Sequence, residues 1–156
     1  MLNLDVDYIE AEEHLRTFGR NGLMAQVMRL ELVGKAGQQL GAVRVLPDEV
    51  RVDRWGQEVR HLRLKYLPRD GSALVNVPVA LVGEESAPGV KGGSRLHVLN
   101  DTVPLVCQGW AVPPRFELDT GDYLRFRDLT PPAGCELRAE NPRLPVVRCA
   151  PKGVYE

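Results

Sequence analysis

Cationic side chains are concentrated in one stretch of this sequence, between Ala42 and Arg69. They are Arg44, Arg51, Arg54, Arg60, Arg63, Lys65 and Arg69. The acids of the same stretch are Asp48, Glu49, Asp53 and Glu58, so its balance is 7 − 4 = +3, whereas the whole chain carries −1. The planar fork of arginine donates two hydrogen bonds at once to a phosphate. These residues therefore predict a surface for nucleic acid, and a solvated sheet face is the alternative.

The alternation around His61 indicates how these side chains are positioned. Leu62, Leu64 and Tyr66 alternate with His61, Arg63 and Lys65, which is the period of a strand with one apolar and one polar side. A histidine on the polar side can stack on exposed RNA groups or donate to them. We expect an RNA-binding face made of Arg44, Arg51, Arg54, His61, Arg63 and Lys65.

Other residue types that could carry chemistry form no convincing site. The glycine-rich residues 83–94 lack the order of a phosphate-binding loop, and no Gly-x-Ser-x-Gly elbow is present. The histidines have no ligand-like spacing, and the cysteines are expected to be buried in a reducing compartment. We predict no catalysis, metal, cofactor or small-molecule substrate. The residues concerned are His14, His61, His97, Cys107, Cys135 and Cys149.

Two further groups have a structural and a functional interpretation. Asp119, Asp122 and Asp128 surround a Thr-Gly-Asp turn, and a solvated turn is favoured over paired catalytic carboxylates. Trp110 and Phe116 could line a sugar-binding face, although each is more often a core residue. A free-standing, stress-related or carbohydrate-binding β-domain protein is therefore the alternative function.

The first half of the chain predicts one helix and several strands. Alternation predicts a strand over residues 2–6, and Asp7 is positioned to cap a helix over residues 8–18 that ends at Gly19. Strands are predicted over residues 23–33, 42–46, 50–54 and 58–67.

After a turn at residues 68–71 the composition changes to short strands separated by Gly- and Pro-containing turns. These strands are predicted over residues 74–82, 96–107, 115–118, 123–127, 135–139 and 145–150, with no convincing helix. We place a domain boundary between residues 72 and 73, giving domains 1–72 and 73–156. No apolar run reaches membrane-spanning length, and the acidic start of the chain is not that of a transit peptide.

The boundary region resembles a known family. Val77-Pro78-Val79-Ala80-Leu81-Val82-Gly83-Glu84, then Pro88-Gly89-Val90-Lys91-x-Gly93, is similar to the start of the C-terminal β-domain of the large-subunit ribosomal protein L-twenty-five, the family that includes general stress protein CTC. The similarity continues through residues 96–107, 112–129 and 132–137, and upstream at residues 19–23 and 58–61.

The resemblance implies a mainly β fold, with a truncated β-barrel-like N-terminal domain carrying a short helix and an all-β C-terminal domain. It implies a structural, non-enzymatic constituent of the large ribosomal subunit that contacts 5S rRNA or adjacent rRNA and neighbouring large-subunit proteins. His61 matches a family histidine that faces 5S rRNA. Arg51 stands where the family usually has a glutamine, and Arg63 where it has an aspartate, which shifts both positions toward phosphate contact.

The N-terminus departs from the family pattern. Members begin with a strand and a basic loop ahead of the part that aligns with Leu2, and the basic loop supplies much of the rRNA contact. A weakly acidic chain without this loop predicts a divergent member in a mitochondrial ribosome, and the bacterial cytoplasm is the alternative location.

Overall fold

A computed structural model describes residues 2–119 and 123–150, and the predicted turn at residues 120–122 lies outside these ranges. Its helices are α1 (Tyr8–Leu23) and α2 (Pro88–Lys91). Its strands are β1 (Met28–Val33), β2 (Gln39–Val52), β3 (Val59–Tyr66), β4 (Ser72–Val82), β5 (Arg95–Val98), β6 (Thr102–Gln108), β7 (Phe116–Asp119), β8 (Tyr123–Arg125), β9 (Cys135–Leu137) and β10 (Pro145–Ala150). The expectation of a mainly β, two-part fold is confirmed. No helix among these residues is both long and apolar enough to cross a membrane.

The first helix begins where the sequence predicts and continues past its predicted end. Asp7 caps it, since its carboxylate accepts the N–H of Ile9 at 2.9 Å. Gly19 takes a φ of 69°, which breaks the helix locally, and a further turn runs on to Leu23. The prediction of a strand from residue 23 is therefore wrong at its start, because Leu23 is the buried last residue of the helix. The predicted strand at residues 2–6 is also wrong, since these residues pair with no strand.

The N-terminal sheet has the order β1-β2-β3, with both pairings antiparallel. The predicted strands 42–46 and 50–54 are one continuous strand, β2, that contains Pro47. A register shift between Pro47 and Glu49 accommodates the proline, because a β-bulge tolerates a residue that cannot donate to the ladder.

The C-terminal region contains two sheets, of order β7-β4-β6-β9 and β5-β10-β8, and β4 pairs with β7 in parallel. The predicted single strand over residues 96–107 is wrong, since β5 and β6 belong to different sheets. Asn100 lies in the break and donates its side-chain N–H to the carbonyl of Pro145 at 2.7 Å. The expectation of no helix is also corrected by the single turn of α2 after Pro88, where a proline suits the first helical position.

One hydrophobic cluster joins the two regions. Most of its members come from the C-terminal sheets, including Val77, Val103 and Leu105, which are completely buried. Leu46 of β2 and Leu67, which directly follows β3, are buried in the same cluster. The N-terminal sheet is therefore packed onto the C-terminal core and not merely linked to it.

The segment between the two regions is held by the turn after β6. The N–H of Gly109 donates to the carbonyl of Gly71 at 2.7 Å, and the indole N–H of Trp110 donates to the carbonyl of Leu67 at 3.0 Å. Gly109 has a φ of 58°, and a Cβ built on it would lie 2.6 Å from the carbonyl oxygen of Arg69. Only glycine fits between this turn and the linker.

Replacing Gly109 with alanine is expected to lower the free energy of unfolding by about 2–3 kcal/mol, because left-handed strain and a backbone clash add together. Chemical denaturation followed by circular dichroism measures the loss. Gly37→Ala is the matched control, since Gly37 also has a positive φ of 79° but nothing within 4 Å of the added carbon. Its free energy of unfolding should fall by about 1 kcal/mol, because this variant has the left-handed strain without the clash. Equal losses for the two variants would contradict the close approach at Gly109.

Candidate nucleic-acid interface

Strand pairing places five of the predicted site residues on one side of the N-terminal sheet. Arg51 lies directly opposite His61, and Lys65 lies opposite Leu46, two residues along β2 from Arg44. Residues paired directly across an antiparallel ladder share a side, and so do alternate residues of one strand. We call the side that carries Arg44, Arg51, His61, Arg63 and Lys65 the polar face.

Arg54, the sixth predicted residue, lies outside the sheet on the turn between β2 and β3. The carboxylate of Asp53 fixes this turn by accepting the N–H groups of Gln57 at 2.8 Å and Glu58 at 3.1 Å. Both hydrogen bonds lower the pKa of Asp53, and the bond from the N–H of Glu58 has the larger effect. The turn also presents Trp55, which is 81% exposed. The sequence reading did not select this residue, although an exposed aromatic beside an arginine suits base stacking.

Carboxylates already hold two arginines of the polar face. Arg51 Nε lies 2.7 Å from Glu49 Oε1, and Arg63 Nη2 lies 3.2 Å from Glu49 Oε2. Arg63 Nε also lies 2.8 Å from Asp48 Oδ2. The hydrogen bond from Arg51 is the main reason that the pKa of Glu49 is lowered, and the charges of Arg51, Arg63 and His61 add to it. The face is thus a neutralised network rather than a bare cationic patch.

Such exposed ion pairs contribute little to folding, in general between about 0 and 1 kcal/mol each. Phosphate oxygens can therefore replace the carboxylates of Asp48 and Glu49 at small cost. Arg54 and Lys65 need no such exchange, because neither makes an ion pair within residues 2–119 and 123–150.

The opposite side of the sheet packs against α1. Leu15 and Leu23 of the helix form a second buried cluster with Val50 of β2, and Leu62 of β3 packs against it. The helix therefore packs on the apolar side of the sheet and leaves Arg51 and His61 exposed on the polar face. Leu46, which lies opposite Lys65, marks the end of this face that the C-terminal core covers.

Trp110 contacts two arginines at the end of the polar face nearest the C-terminal region. The guanidinium carbons of Arg44 and Arg69 lie 5.3 Å and 5.9 Å from the centroid of its ring. Trp110 and Phe116 do not share an exposed aromatic surface, because Phe116 is only 6% exposed and belongs to the core. The favoured interpretation as a core residue is therefore confirmed for Phe116, whereas Trp110 is 45% exposed, and the two do not form the alternative sugar-binding face.

The three cysteines lie on separate strands, and two of them meet. Cys107 and Cys135 are directly opposite on β6 and β9, with 3.2 Å between their sulfur atoms. Burial first, and then the neighbouring thiol, raise the pKa of Cys107 to about 12. This thiol is protonated at neutral pH and is no nucleophile, which agrees with its interpretation as a small buried side chain.

The remaining candidates form no catalytic or metal-binding arrangement in the described part of the chain. No group of three or more His, Cys, Asp or Glu residues there is arranged to hold a metal ion. His14 makes an edge contact with Phe18, 6.1 Å between ring centroids. Asp128 accepts the N–H of Arg125 at 3.0 Å and so caps a short 3₁₀ turn, whereas Asp122 lies outside the described residues.

Comparison with known proteins identifies the family. Residues 73–152 match the model of the ribosomal protein TL5 C-terminal domain. The large ribosomal subunit protein bL25 of Erythrobacter litoralis is 28% identical over 134 residues, which cover 83% of this chain and 56% of the relative. The bL25 protein of the Wolbachia of Brugia malayi is 25% identical over 156 residues, covering 95% and 74%. That of Thiobacillus denitrificans is 34% identical over 110 residues, covering 64% and 54%.

The match extends beyond the C-terminal region, since the alignment with the Wolbachia protein covers 95% of the chain and so includes the polar face. The chain spans between about half and three quarters of the length of these relatives. On the match of more than half its residues to the family model, together with these relatives, the chain belongs to the family of the bacterial-type large ribosomal subunit protein bL25.

Proposed function

We propose that the chain is a structural, non-enzymatic constituent of the large ribosomal subunit that contacts 5S rRNA, or rRNA adjacent to it, through the polar face. The observation that carries the proposal is the pairing of β2 with β3, which brings the exposed side chains of Arg51, His61, Arg63 and Lys65 to one side of a sheet. Family membership indicates the particle, the large ribosomal subunit, and the polar face provides the surface that contacts rRNA.

The contact works by exchange of anions. Each phosphate that approaches Arg51 or Arg63 replaces a carboxylate of Glu49 or Asp48, and Lys65 and Arg54 add cations that no carboxylate holds. Arginine and lysine contacts to phosphates position an RNA without reading its sequence. The imidazole of His61 lies between these cations and is the group suited to stacking on a base or donating to it.

The two regions have different roles in this proposal. Residues 1–72 carry the rRNA contacts, and residues 73–156 pack against neighbouring large-subunit proteins. The shared core around Leu46 and Leu67 fixes one region on the other, so that contacts made by the C-terminal region also orient the polar face.

The relatives named above come from bacteria, so they favour a bacterial ribosome and hence the cytoplasm as its location. A mitochondrial location stays a prediction that rests on divergence alone.

Reversing the charge of Arg63 tests the role of the polar face. Arg63→Glu is expected to weaken binding to a 5S rRNA transcript about tenfold at 100 mM salt, because one phosphate contact is lost and a third carboxylate joins Asp48 and Glu49. Fluorescence anisotropy over a salt series measures the affinity, and the slope of log K against log salt should become shallower by about 0.7–0.9.

Arg115→Glu is the matched control, since Arg115 is also an exposed arginine and pairs with Glu117 at 2.8 Å in the C-terminal region. It should bind within twofold of the wild type. An equal loss in both variants would show a general effect of net charge and would contradict a specific role for the polar face.

A further inference from the structure

The side chains around Trp110 form a second cationic cluster, at the junction of the two regions. It is built from three segments that are distant in sequence: β2 with Arg44, the linker after β3 with Arg69, and the turn after β6 with Trp110. The bond from the indole N–H to the carbonyl of Leu67 fixes the orientation of the ring. Both guanidinium groups lie over this ring, an arrangement stabilised by the attraction of a cation to the π-system.

The fold leaves the charge of this cluster largely uncompensated. Arg29 of β1 lies directly opposite Arg44 in the ladder, and like charges in that position are unfavourable. Arg29 approaches Glu31 at 3.7 Å, a long contact between exposed groups. Neither Arg44 nor Arg69 has a carboxylate partner among the residues the structure describes. By contrast, Arg51 and Arg63 of the polar face are both held by acids.

The cluster also borders an open cavity. The cavity has a volume of about 270 Å³, and its lining includes Arg29, Arg44, Tyr66 and Trp110. Tyr66, a member of this lining, is 63% exposed. Two guanidinium groups already lie against the indole ring, which disfavours stacking of a base on Trp110. The ligand that fits is therefore an anion that accepts hydrogen bonds from the guanidinium N–H groups. A phosphodiester matches the planar donor fork of arginine.

We propose that Arg44 and Arg69, held over Trp110, form with Arg29, the residue opposite Arg44 in the ladder, a binding site for a phosphodiester group of RNA. This inference rests on the proposed function and adds to it a second point of contact. Because Arg44 belongs to the polar face and Trp110 to the C-terminal region, the RNA backbone would run along the sheet and end at the junction. The stacked arginines are ordered before binding, which reduces the side-chain entropy lost when the phosphate binds.

The salt dependence of RNA binding tests the inference. The test compares the wild type, Arg44→Gln/Arg69→Gln and Arg44→Lys/Arg69→Lys, using transcripts of 5S rRNA and of large-subunit rRNA as probes. The glutamine variant should lose about 1.4–1.8 from the slope of log K against log salt, because two cations no longer release counterions. The lysine variant should keep most of the slope, since charge is retained. Arg115→Gln/Arg138→Gln, which removes two exposed arginines paired with Glu117 and Glu136, should keep the wild-type slope.

Thermal unfolding of each variant separates binding from stability. A glutamine variant with the wild-type slope and a lower melting temperature would show that the arginines only stabilise the junction of the two regions. That result would overturn the inference. Wild-type protein that binds neither transcript would instead refute the proposed function. A reduced slope in a variant that unfolds at the wild-type temperature supports the phosphate site.

Discussion

Replacing Leu67 with alanine is expected to lower the free energy of unfolding by about 2–5 kcal/mol, the usual range for a fully buried leucine. Leu67 is 2% exposed and directly follows β3, yet its side chain lies in the cluster built mostly by the C-terminal sheets. The substitution therefore leaves a cavity where the two regions join. Urea denaturation measured by circular dichroism gives the free energy.

Leu74→Ala is the control for this prediction, because Leu74 is a leucine of β4 with 61% of its surface exposed. Its replacement should change the free energy by about 0.5 kcal/mol or less. In a Trp55→Phe background, where Trp110 is the one remaining tryptophan, fluorescence reports on the junction and should follow the same transition as circular dichroism. Two separate transitions, with Leu67→Ala affecting only one, would contradict a core shared by both regions.

Replacing Glu49 with glutamine is expected to strengthen RNA binding about fivefold at low salt. The carboxylate of Glu49 holds Arg51 at 2.7 Å and Arg63 at 3.2 Å. Its neutralisation therefore releases Arg51, leaves Arg63 held by Asp48 alone, and removes a charge that repels phosphate. In water-like surroundings, the interaction of one unit charge with a nearby phosphate corresponds to a change in affinity of about fivefold. Because the pKa of Glu49 is lowered by Arg51, mild acid cannot produce the same effect by protonating it. Anisotropy titration of a 5S rRNA transcript at 50 mM salt measures the gain.

Glu117→Gln provides the comparison for this gain. Glu117 pairs with Arg115 at 2.8 Å on β7, away from the polar face, and its replacement makes the same change in net charge. Affinity should then change less than twofold. A similar gain for both variants, or none for Glu49→Gln, would contradict the exchange of carboxylate for phosphate on the polar face.

Local patterns were sufficient to predict the parts of the fold that depend on neighbouring residues. The alternation of His61, Leu62, Arg63 and Leu64 correctly divides β3 into a polar and an apolar side, and Asp7 correctly marks the start of α1. Local patterns failed where a longer-range packing partner decides the outcome. Leu23 extends the helix because it is buried under the sheet, and β5 separates from β6 because each pairs with a different strand.

The residue types of the site could be predicted from the sequence, but the ion pairs between them could not. The sequence identifies Arg51 and Arg63 as cations, but only the register of β2 against β3 places Glu49 between them. That register depends on the bulge after Pro47, which alternation alone cannot locate. The cluster at Trp110 was missed for a similar reason, since this residue lies 43 positions from Leu67 and meets it only through the turn after β6.

Sedimentation of cell lysate through a sucrose gradient, with the protein followed by antibody, tests the central claim most directly. A constituent of the large ribosomal subunit should migrate with large subunits and whole ribosomes, and at low magnesium it should move with the large subunit when the two subunits separate. Recovery of most of the protein at the top of the gradient, apart from ribosomes, would contradict the proposed function and favour a free-standing protein.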